Sequence, residues 1–278
     1  MARRTPTPAR WAANAAGLVV VLLCAFPVYW MVSRSFLPRN RIRSPEPNWI
    51  PFDGTLGNYD RVFADGTFLR ALGTSLSVTL LTVAVAVVFA FLAALAVSRF
   101  RFRGRRSFIL TLLLIQMIPV EGLFISQYTM LEGMSLLNSV LGLTLVYVAN
   151  VLPFTVWTLR GFVDGVPADL EEAAMIDGCS RMQAFLRVTL PLLAPGLIAT
   201  GVFGFIQAWN EFTLALVVMG EGNETLPVWL TNFTDAQRGV DWGAIMAAST
   251  LITVPVIVFF LIVQGRMVGG LTAGAVKG

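Results

Sequence analysis

Two acidic residues stand inside otherwise apolar stretches of this chain, where they could hydrogen-bond a polar solute. Glu211 lies in the sequence QAWNEF and Glu121 in the sequence QMIPVEG. Ionisable side chains are costly inside a membrane, so such residues are functional candidates by default. Glutamate, amide and indole groups together suit a solute rich in hydroxyl groups. The candidate residues for the route of such a solute through the membrane are Gln207, Trp209, Asn210, Glu211 and Glu121.

Each carboxylate also has a plainer interpretation. Glu211 could join an interhelical hydrogen-bond network that fixes the packing of the helices. Glu121 is expected near the outer end of its apolar segment, where it could simply be hydrated. The sequence leaves both alternatives open.

A polar stretch, Pro167–Pro191, carries the start and stop signals of two short helices. Asp169 and Glu172 form a D-x-x-E pattern, which predicts a capping box at the start of the first helix. Gly178 is expected to adopt the left-handed conformation that ends this helix. The first helix should therefore be short and sharply bounded.

The second helix should begin at another capping box, formed by Ser180 and Gln183. We expect it to end near Leu190, because the residue before Pro191 disfavours the helical conformation. A helix pair resting on the bilayer is the alternative to a protein docking site. That alternative poorly explains an acidic run facing anionic lipids, so docking to a protein is favoured.

The elements that position these residues are membrane helices. The 278 residues are 56% hydrophobic and 13% charged, with a mean hydropathy of +0.74, which indicates an all-α, polytopic membrane protein. A hydrocarbon core of about 30 Å needs about 20 helical residues. The predicted spans are 12–33, 71–97, 107–130, 136–159, 192–219 and 243–265.

The distribution of basic residues predicts the orientation. With the N-terminus in the cytoplasm, 13 of the 20 basic residues lie inside, and most of the others lie in the first outer loop. Both termini are then cytoplasmic. The chain is predicted to consist of a cytoplasmic N-terminus 1–11, a transmembrane region 12–265 and a cytoplasmic tail 266–278. Within the transmembrane region we expect a cytoplasmic loop 161–191 and outer loops at about 34–70 and 220–242.

Several residue types are absent or rare, and this narrows the chemistry. The chain has no histidine, two cysteines and one lysine, Lys277. Histidine-based catalysis and a histidine-ligated metal are excluded, and a phosphate-binding G-x-x-x-x-G-K-[ST] loop cannot be built. We expect no cofactor in this chain, and any ATP and Mg²⁺ would belong to a partner. The sequence has no basic face with interleaved aromatic residues, so nucleic acid binding is not expected.

The polar stretch also resembles a known motif. Glu172-Ala173-Ala174, then Gly178, Val188 and Leu190-Pro191, is similar to the EAA loop of ABC importer permeases. The resemblance implies that this loop is a coupling helix that sits in a cleft of a cytoplasmic ATPase dimer. The coupling residues it implies are Asp169, Glu171, Glu172, Ala173, Ala174, Met175, Asp177, Gly178, Leu190 and Pro191.

Two further stretches resemble the maltose-type, carbohydrate-importing branch of that family. They are the Trp209-Asn210-Glu211-Phe212 element and the C-terminal sequence GGLTAGAVKG. The resemblance implies a six-helix permease of a bacterial or archaeal cytoplasmic membrane, with a homologous second subunit and an extracytoplasmic binding protein that delivers a sugar. Tail residues expected to contact the ATPase are Thr272, Ala273, Gly274 and Lys277.

Three alternatives remain. An ABC permease for polyamine, phosphate or another non-sugar solute would share the same loop. An ion-coupled secondary transporter predicts an internal inverted repeat, which the sequence lacks, and leaves the capped helix pair unexplained. A membrane-embedded enzyme is disfavoured by the absence of histidine and of clustered catalytic pairs.

Overall fold

The computed structural model of the protein describes residues 8–42, 44, 49–64, 66–235 and 239–274, with side chains described within 11–42, 44, 49–64, 66–234 and 239–265. Helices dominate this part of the chain. They are α1 (Pro8–Ser35), α2 (Arg39–Ile42), α3 (Gly57–Phe63), α4 (Thr67–Arg99), α5 (Arg105–Gln116), α6 (Phe124–Gly133), α7 (Val140–Asp164), α8 (Asp169–Ile176), α9 (Arg181–Ala184), α10 (Leu190–Asn210), α11 (Thr213–Val218), α12 (Leu226–Trp229) and α13 (Trp242–Gly274).

Shorter elements complete the architecture. A 3-10 turn, Val120–Leu123, precedes α6, a π-helical turn, Phe185–Thr189, joins α9 to α10, and a second 3-10 turn, Leu230–Phe233, follows α12. The antiparallel strands β1 (Thr234–Asp235) and β2 (Gly239–Val240) pair with each other.

Five of the described helical segments are long and apolar enough to cross a membrane, and there are six if a bent pair is counted as one span. The third predicted span, 107–130, is wrong as a single helix, because α5 and the segment Val120–Gly133 meet at 94°. Pro119 causes the break. It has an extended ψ of 124° and lacks the N–H that would continue the helix.

The fifth predicted span, 192–219, is also interrupted. Helix α10 ends at Asn210, Glu211 is extended with a ψ of 130°, and α11 begins at Thr213. The Glu211 carboxylate accepts the backbone N–H groups of Leu214 and Ala215. A side chain thus replaces the carbonyl partners that a continuous helix would supply to these two N–H groups.

The chain forms two compact units, and the first comprises Met1–Phe68 and Leu230–Pro255. Its polar centre is Asn58, which is 1% exposed and whose Nδ2 donates to the carbonyl oxygens of Ser35 and Leu37 at 2.7 and 2.8 Å. A Cβ at Gly243 would approach Asn58 Oδ1 to 2.5 Å, so only glycine fits there. These contacts fix the end of α1 against α3 and the start of α13.

The second unit comprises Leu69–Trp229 and Val256–Gly278. It contains one apolar cluster around Leu143, Leu214 and Leu131, and another around Leu159, Leu193 and Ala94. Close approach of α10 to α7 requires Gly196, since a Cβ there would lie 2.5 Å from the Phe162 ring. This packing of α7 with α10 holds the elements of the candidate site.

Candidate functional site

The stretch Pro167–Pro191 contains two short helices, as the sequence predicts. Helix α8 ends in a Schellman turn, in which the N–H of Cys179 donates to the Ala174 carbonyl and the N–H of Gly178 donates to the Met175 carbonyl. Gly178 has a φ of +91°, so its predicted left-handed conformation is confirmed. The turn gives α8 a fixed end.

The capping box at the start of α9 is also confirmed. The Ser180 N–H donates to Gln183 Oε1 at 2.8 Å, and the Gln183 N–H donates to Ser180 Oγ at 3.3 Å. Both bonds are local, which is why the sequence alone was sufficient to predict them.

The predicted capping box of Asp169 and Glu172 is wrong. Ala168 occupies the N-cap position of α8, no side chain caps the helix, and Asp169 is its first residue. The Ala168 carbonyl accepts the N–H groups of Glu171 and Glu172, because a turn begins already at Pro167. Asp169 and Glu172 are exposed, and their contribution to the helix start is the negative charge that they place at its positive end.

The predicted end of the second helix near Leu190 is also wrong. Helix α9 continues through the π-helical turn Phe185–Thr189 directly into α10. The Leu190 N–H donates to the Phe185 carbonyl, which lies five residues earlier. This wider turn accommodates the ring of Pro191, which has no N–H to donate. The short helix is therefore continuous with a membrane-spanning helix.

Glu171 anchors α8 to the membrane helices. Its Oε1 accepts a hydrogen bond of 2.7 Å from the hydroxyl of Thr189, a fully buried residue. Arg99, at the end of α4, places Nη2 3.5 Å from the same oxygen and donates to the Val166 carbonyl at 3.0 Å. One carboxylate therefore links α8 to the end of α4 and to the start of α10.

The outward surface of α8 has no partner within the described chain. Glu172, Ala173, Met175, Ile176 and Asp177 are all exposed, and Ile176 is 85% exposed. Ala174 and Leu190 are half-buried, and Pro191 is exposed at the start of α10. An acidic and apolar helix surface of this kind fits contact with another protein.

A cavity of about 370 Å³ lies in the second unit. Its polar lining includes three of the predicted route residues, Glu121, Gln207 and Glu211, together with Tyr147 and Asn150. This volume lies at the lower end of small-molecule sites, which span about 300–1,000 Å³. The remaining lining residues are Ile115, Gln116, Ile118, Val120, Leu123, Phe124, Ala149, Val151, Pro153, Phe154, Phe203, Ala208 and Thr213.

The two other predicted route residues lie outside this lining. Trp209 is 3% exposed and its ring stacks on Phe205, with centroids 5.6 Å apart. Asn210 is exposed and its Nδ2 donates to the Ile206 carbonyl at 2.9 Å. An aromatic surface is instead supplied by Phe154 and Phe203, whose centroids lie 4.0 Å apart.

Glu211 has a structural contribution as well as a place in the cavity. Its Oε2 accepts from the Tyr147 hydroxyl at 2.5 Å and from the Ala215 N–H at 3.0 Å, and its Oε1 accepts from the Leu214 N–H at 2.7 Å. Sequence reasoning missed Tyr147, because no local pattern connects it with Glu211. Within the described chain, no cluster of His, Cys, Asp or Glu could hold a metal ion.

The predicted tail lies partly within α13. Thr272, Ala273 and Gly274 belong to the last turn of this helix. Lys277 lies outside the described residues.

Comparison with known proteins identifies the family. A family model described as "Binding-protein-dependent transport system inner membrane component" matches residues 86–271. The chain is 47% identical over 266 residues to the diacetylchitobiose uptake system permease protein DasC of Streptomyces coelicolor, covering 95% of this chain and 96% of that protein. It is 39% identical over 262 residues to the trehalose transport system permease protein SugB of Mycobacterium tuberculosis, covering 94% and 95%.

A solved structure shares the fold. The chain matches, with a TM-score of 0.76 and 21% identity, a crystal structure of a bacterial ABC transporter involved in the import of the acidic polysaccharide alginate. The match covers 94% of this chain and 99% of that one. The predicted ABC importer permease fold and the resemblance to carbohydrate permeases are confirmed. The chain is a multi-pass transport component of the inner membrane, not an enzyme, and it belongs to the family of binding-protein-dependent transport system inner membrane components.

Proposed function

We propose that this chain is the permease subunit of an ATP-driven importer for a sugar or short oligosaccharide. The observation that carries the proposal is the near full-length similarity to permeases named for diacetylchitobiose and trehalose. The cavity adds support, because carboxylate, amide and phenol groups and an aromatic pair line a space large enough for one small solute.

Energy is supplied by a separate ATPase that binds ATP and Mg²⁺. This part of the proposal rests on the sequence, whose one lysine, Lys277, cannot form a phosphate-binding loop. The surface of α8 is the docking site for that ATPase, with Glu172 and the exposed apolar side chains toward the partner. The C-terminal residues Thr272, Ala273, Gly274 and Lys277 reach the same partner.

Movement of the ATPase is transmitted through backbone and side-chain connections. The continuous run from α9 through the π-helical turn into α10 joins the docking site to a membrane helix. Glu171 adds a second connection through Arg99 and Thr189. Because these connections restrict relative motion, α8 and the cytoplasmic ends of α4 and α10 move together.

The complete importer contains other chains. A second, homologous permease subunit completes the membrane pathway, and an extracytoplasmic binding protein delivers the sugar. The outer loops 34–70 and 220–242 are the segments that meet this binding protein. Both termini and the loop 161–191 are cytoplasmic, as the arginine distribution favours.

The test uses the whole complex. The chain is co-purified with its subunits, reconstituted in vesicles, and assayed for ATP hydrolysis with a panel of an N-acetylated disaccharide, trehalose, maltose, a polyamine and phosphate. We expect one sugar with its binding protein to stimulate hydrolysis and to enter the vesicles. If only the polyamine or only phosphate stimulates hydrolysis, the solute is that compound and not a sugar. Uptake driven by an ion gradient without ATP would overturn the proposal.

A further inference from the structure

A groove of about 520 Å³ in the second unit is lined by three arginines. Arg105 and Arg106 open α5, and Arg160 lies near the end of α7, which packs against α5. Phe102, Ile109 and Leu110 form the apolar part of the lining. The groove therefore has a cationic part and an apolar part beside each other.

The positive charge around this groove is mostly uncompensated. Five arginines and no acid occur from Arg99 to Arg106. Among the described residues, Asp164 is the one carboxylate paired with an arginine of the groove, and its Oδ2 lies 3.3 Å from Arg160 Nε. That contact orients the Arg160 guanidinium, which also lies 5.7 Å from the Trp157 ring centroid. A net positive site with fixed geometry remains.

The backbone adds to the attraction for an anion. Gly104, which lines the groove, has a φ of +92° and occupies the N-cap of α5, and no side chain caps this helix. The Arg105 N–H donates to the Phe102 carbonyl at 3.4 Å, and the structure describes no partner for the N–H groups of Arg106 and Ser107 in the first turn of this 12-residue helix. A phosphate group is attracted both by guanidinium groups and by a free helix start.

The groove lies at a membrane boundary. Helix α5 begins a membrane-crossing pair and α7 ends a span in this region. Phe102 and Leu110 are 45% and 50% exposed, and Trp157 beside Arg160 is 40% exposed. Water would not favour such apolar exposure next to charges, whereas the boundary between headgroups and acyl chains accommodates both.

We propose that this groove binds one anionic phospholipid. Its phosphate lies among Arg105, Arg106 and Arg160, and an acyl chain lies along Phe102, Ile109 and Leu110. The arginine distribution assigns the groove to the cytoplasmic leaflet. The proposal concerns the lipid alone and holds whatever solute the chain transports.

A general preference of arginine for the cytoplasmic side explains the charge of this segment but not its shape. That preference treats all five arginines alike. A specific site distinguishes Arg105 and Arg106, which line the groove, from Arg101 and Arg103, which do not. Pairs of substitutions that remove the same charge therefore separate the two explanations.

The test measures lipid binding by native mass spectrometry. The chain is purified in detergent with its associated subunits and titrated with phosphatidylglycerol or phosphatidylcholine of identical acyl chains. We expect one phosphatidylglycerol site at least tenfold tighter than any phosphatidylcholine site. The variant R105Q/R106Q should weaken this site roughly 25-fold, as expected for two membrane-surface charges. The matched variant R101Q/R103Q should change it less than about threefold.

A further variant controls for misfolding, and two soluble phosphates test whether the site binds a lipid or a free phosphate. R105K/R106K keeps the charge and should retain most of the binding, which separates lost charge from lost folding. Inorganic phosphate and glycerophosphoglycerol, which lack acyl chains, should fail to displace the lipid. Equal affinity for both lipids, equal weakening in the two glutamine variants, or displacement by either soluble phosphate would overturn the proposal.

Discussion

Two adjacent glutamates on α8 have opposite surroundings. Glu171 is partly buried and contacts Thr189 and Arg99, whereas Glu172 is exposed and its side chain has no hydrogen bond within the described chain. The motif that resembles the EAA loop begins at Glu172, so the sequence draws attention to the exposed residue. The structure shows that its neighbour, Glu171, anchors the same helix to the rest of the chain.

We expect Glu171→Gln to loosen α8 from the membrane helices. The amide keeps an acceptor for the Thr189 hydroxyl but loses the ion pair with Arg99, which is worth about 1 kcal/mol or less for a partly exposed pair. Sugar-stimulated ATP hydrolysis in the complex should fall severalfold, and the thermal unfolding temperature of the purified chain should decrease slightly.

Glu172→Gln is the matched control, because it removes the same charge one residue away. It should leave the unfolding temperature unchanged and should weaken assembly with the ATPase, measured by co-purification. Equal effects of the two substitutions on unfolding and on assembly would show that Glu171 has no separate anchoring contribution.

Glu211 and Gln207 both line the cavity but differ in their bonding. Glu211 accepts three hydrogen bonds at the break between α10 and α11, and no hydrogen bond of the Gln207 side chain is described. Substitutions at the two residues therefore test structural support and solute contact separately.

We expect Glu211→Ala to destabilise the chain by about 1–3 kcal/mol, because it leaves backbone donors and the Tyr147 hydroxyl without their partner. Glu211→Gln, which keeps an acceptor, should recover part of this loss. Gln207→Ala should leave thermal unfolding unchanged and raise the sugar concentration needed for half-maximal uptake. A stable Glu211→Ala variant would remove the structural explanation, and unchanged uptake in Gln207→Ala would remove that residue from the solute route.

At the scale of elements, the stretch from α8 to α10 contains one sharp turn and one continuous helix. The turn lies at Gly178, where the backbone has a φ of +91° and a Cβ would meet no atom within 4 Å. The cost of substitution there is conformational rather than steric. The direction of α8 relative to α9 thus depends on a single residue.

We expect Gly178→Ala to cost about 1 kcal/mol through the left-handed conformation. Coupling of ATP hydrolysis to uptake should decrease, measured as sugar transported per ATP hydrolysed. The control is Gly161→Ala in α7, which also has open space around it but lies within a helix. That substitution should be neutral or stabilising, and an equal loss of coupling in both variants would contradict the proposed importance of the turn.

The elements that the sequence predicted correctly are those specified by neighbouring residues. Gly178 and the Ser180 capping box act over three or four positions, and their signals are local. The predicted start of α8 and the predicted end of α9 were wrong, because an upstream turn at Pro167 and a π-helical turn before Pro191 competed with the capping signals. Both outcomes depend on backbone bonds that the side-chain pattern does not specify.

At the scale of the whole molecule, the apolar spans were predictable because lipid imposes length and composition on each of them. The contacts of Glu171 with Arg99 and of Glu211 with Tyr147 were not, since each joins residues far apart in the chain. The same holds for the aromatic surface of the cavity, which comes from Phe154 and Phe203 rather than from Trp209. Helix packing decides these pairs.

The orientation in the membrane can be tested with the two native cysteines. Cys179 follows α8 and is half-buried, whereas Cys24 lies exposed within the apolar helix α1. With the chain expressed without its ATPase, a membrane-impermeant maleimide should label Cys179 in inverted vesicles and not in right-side-out vesicles. Cys24 should remain unlabelled in both, because a membrane-impermeant reagent does not reach a thiol within the hydrocarbon core. Labelling of Cys179 from outside would reverse the proposed topology.

The break at Pro119 has a consequence for water inside the membrane. Helix α5 has 12 residues and is therefore only about 18 Å long, so its end at Gln116 falls short of crossing a hydrocarbon core of about 30 Å. Lipid cannot solvate the free backbone groups at that depth, and such a break persists only where protein or a hydrated space receives them. Gln116, Ile118 and Val120 line the cavity. We therefore expect water in this cavity before any solute enters it, so that an entering solute exchanges part of its own hydration shell for this water and for the polar groups of the lining.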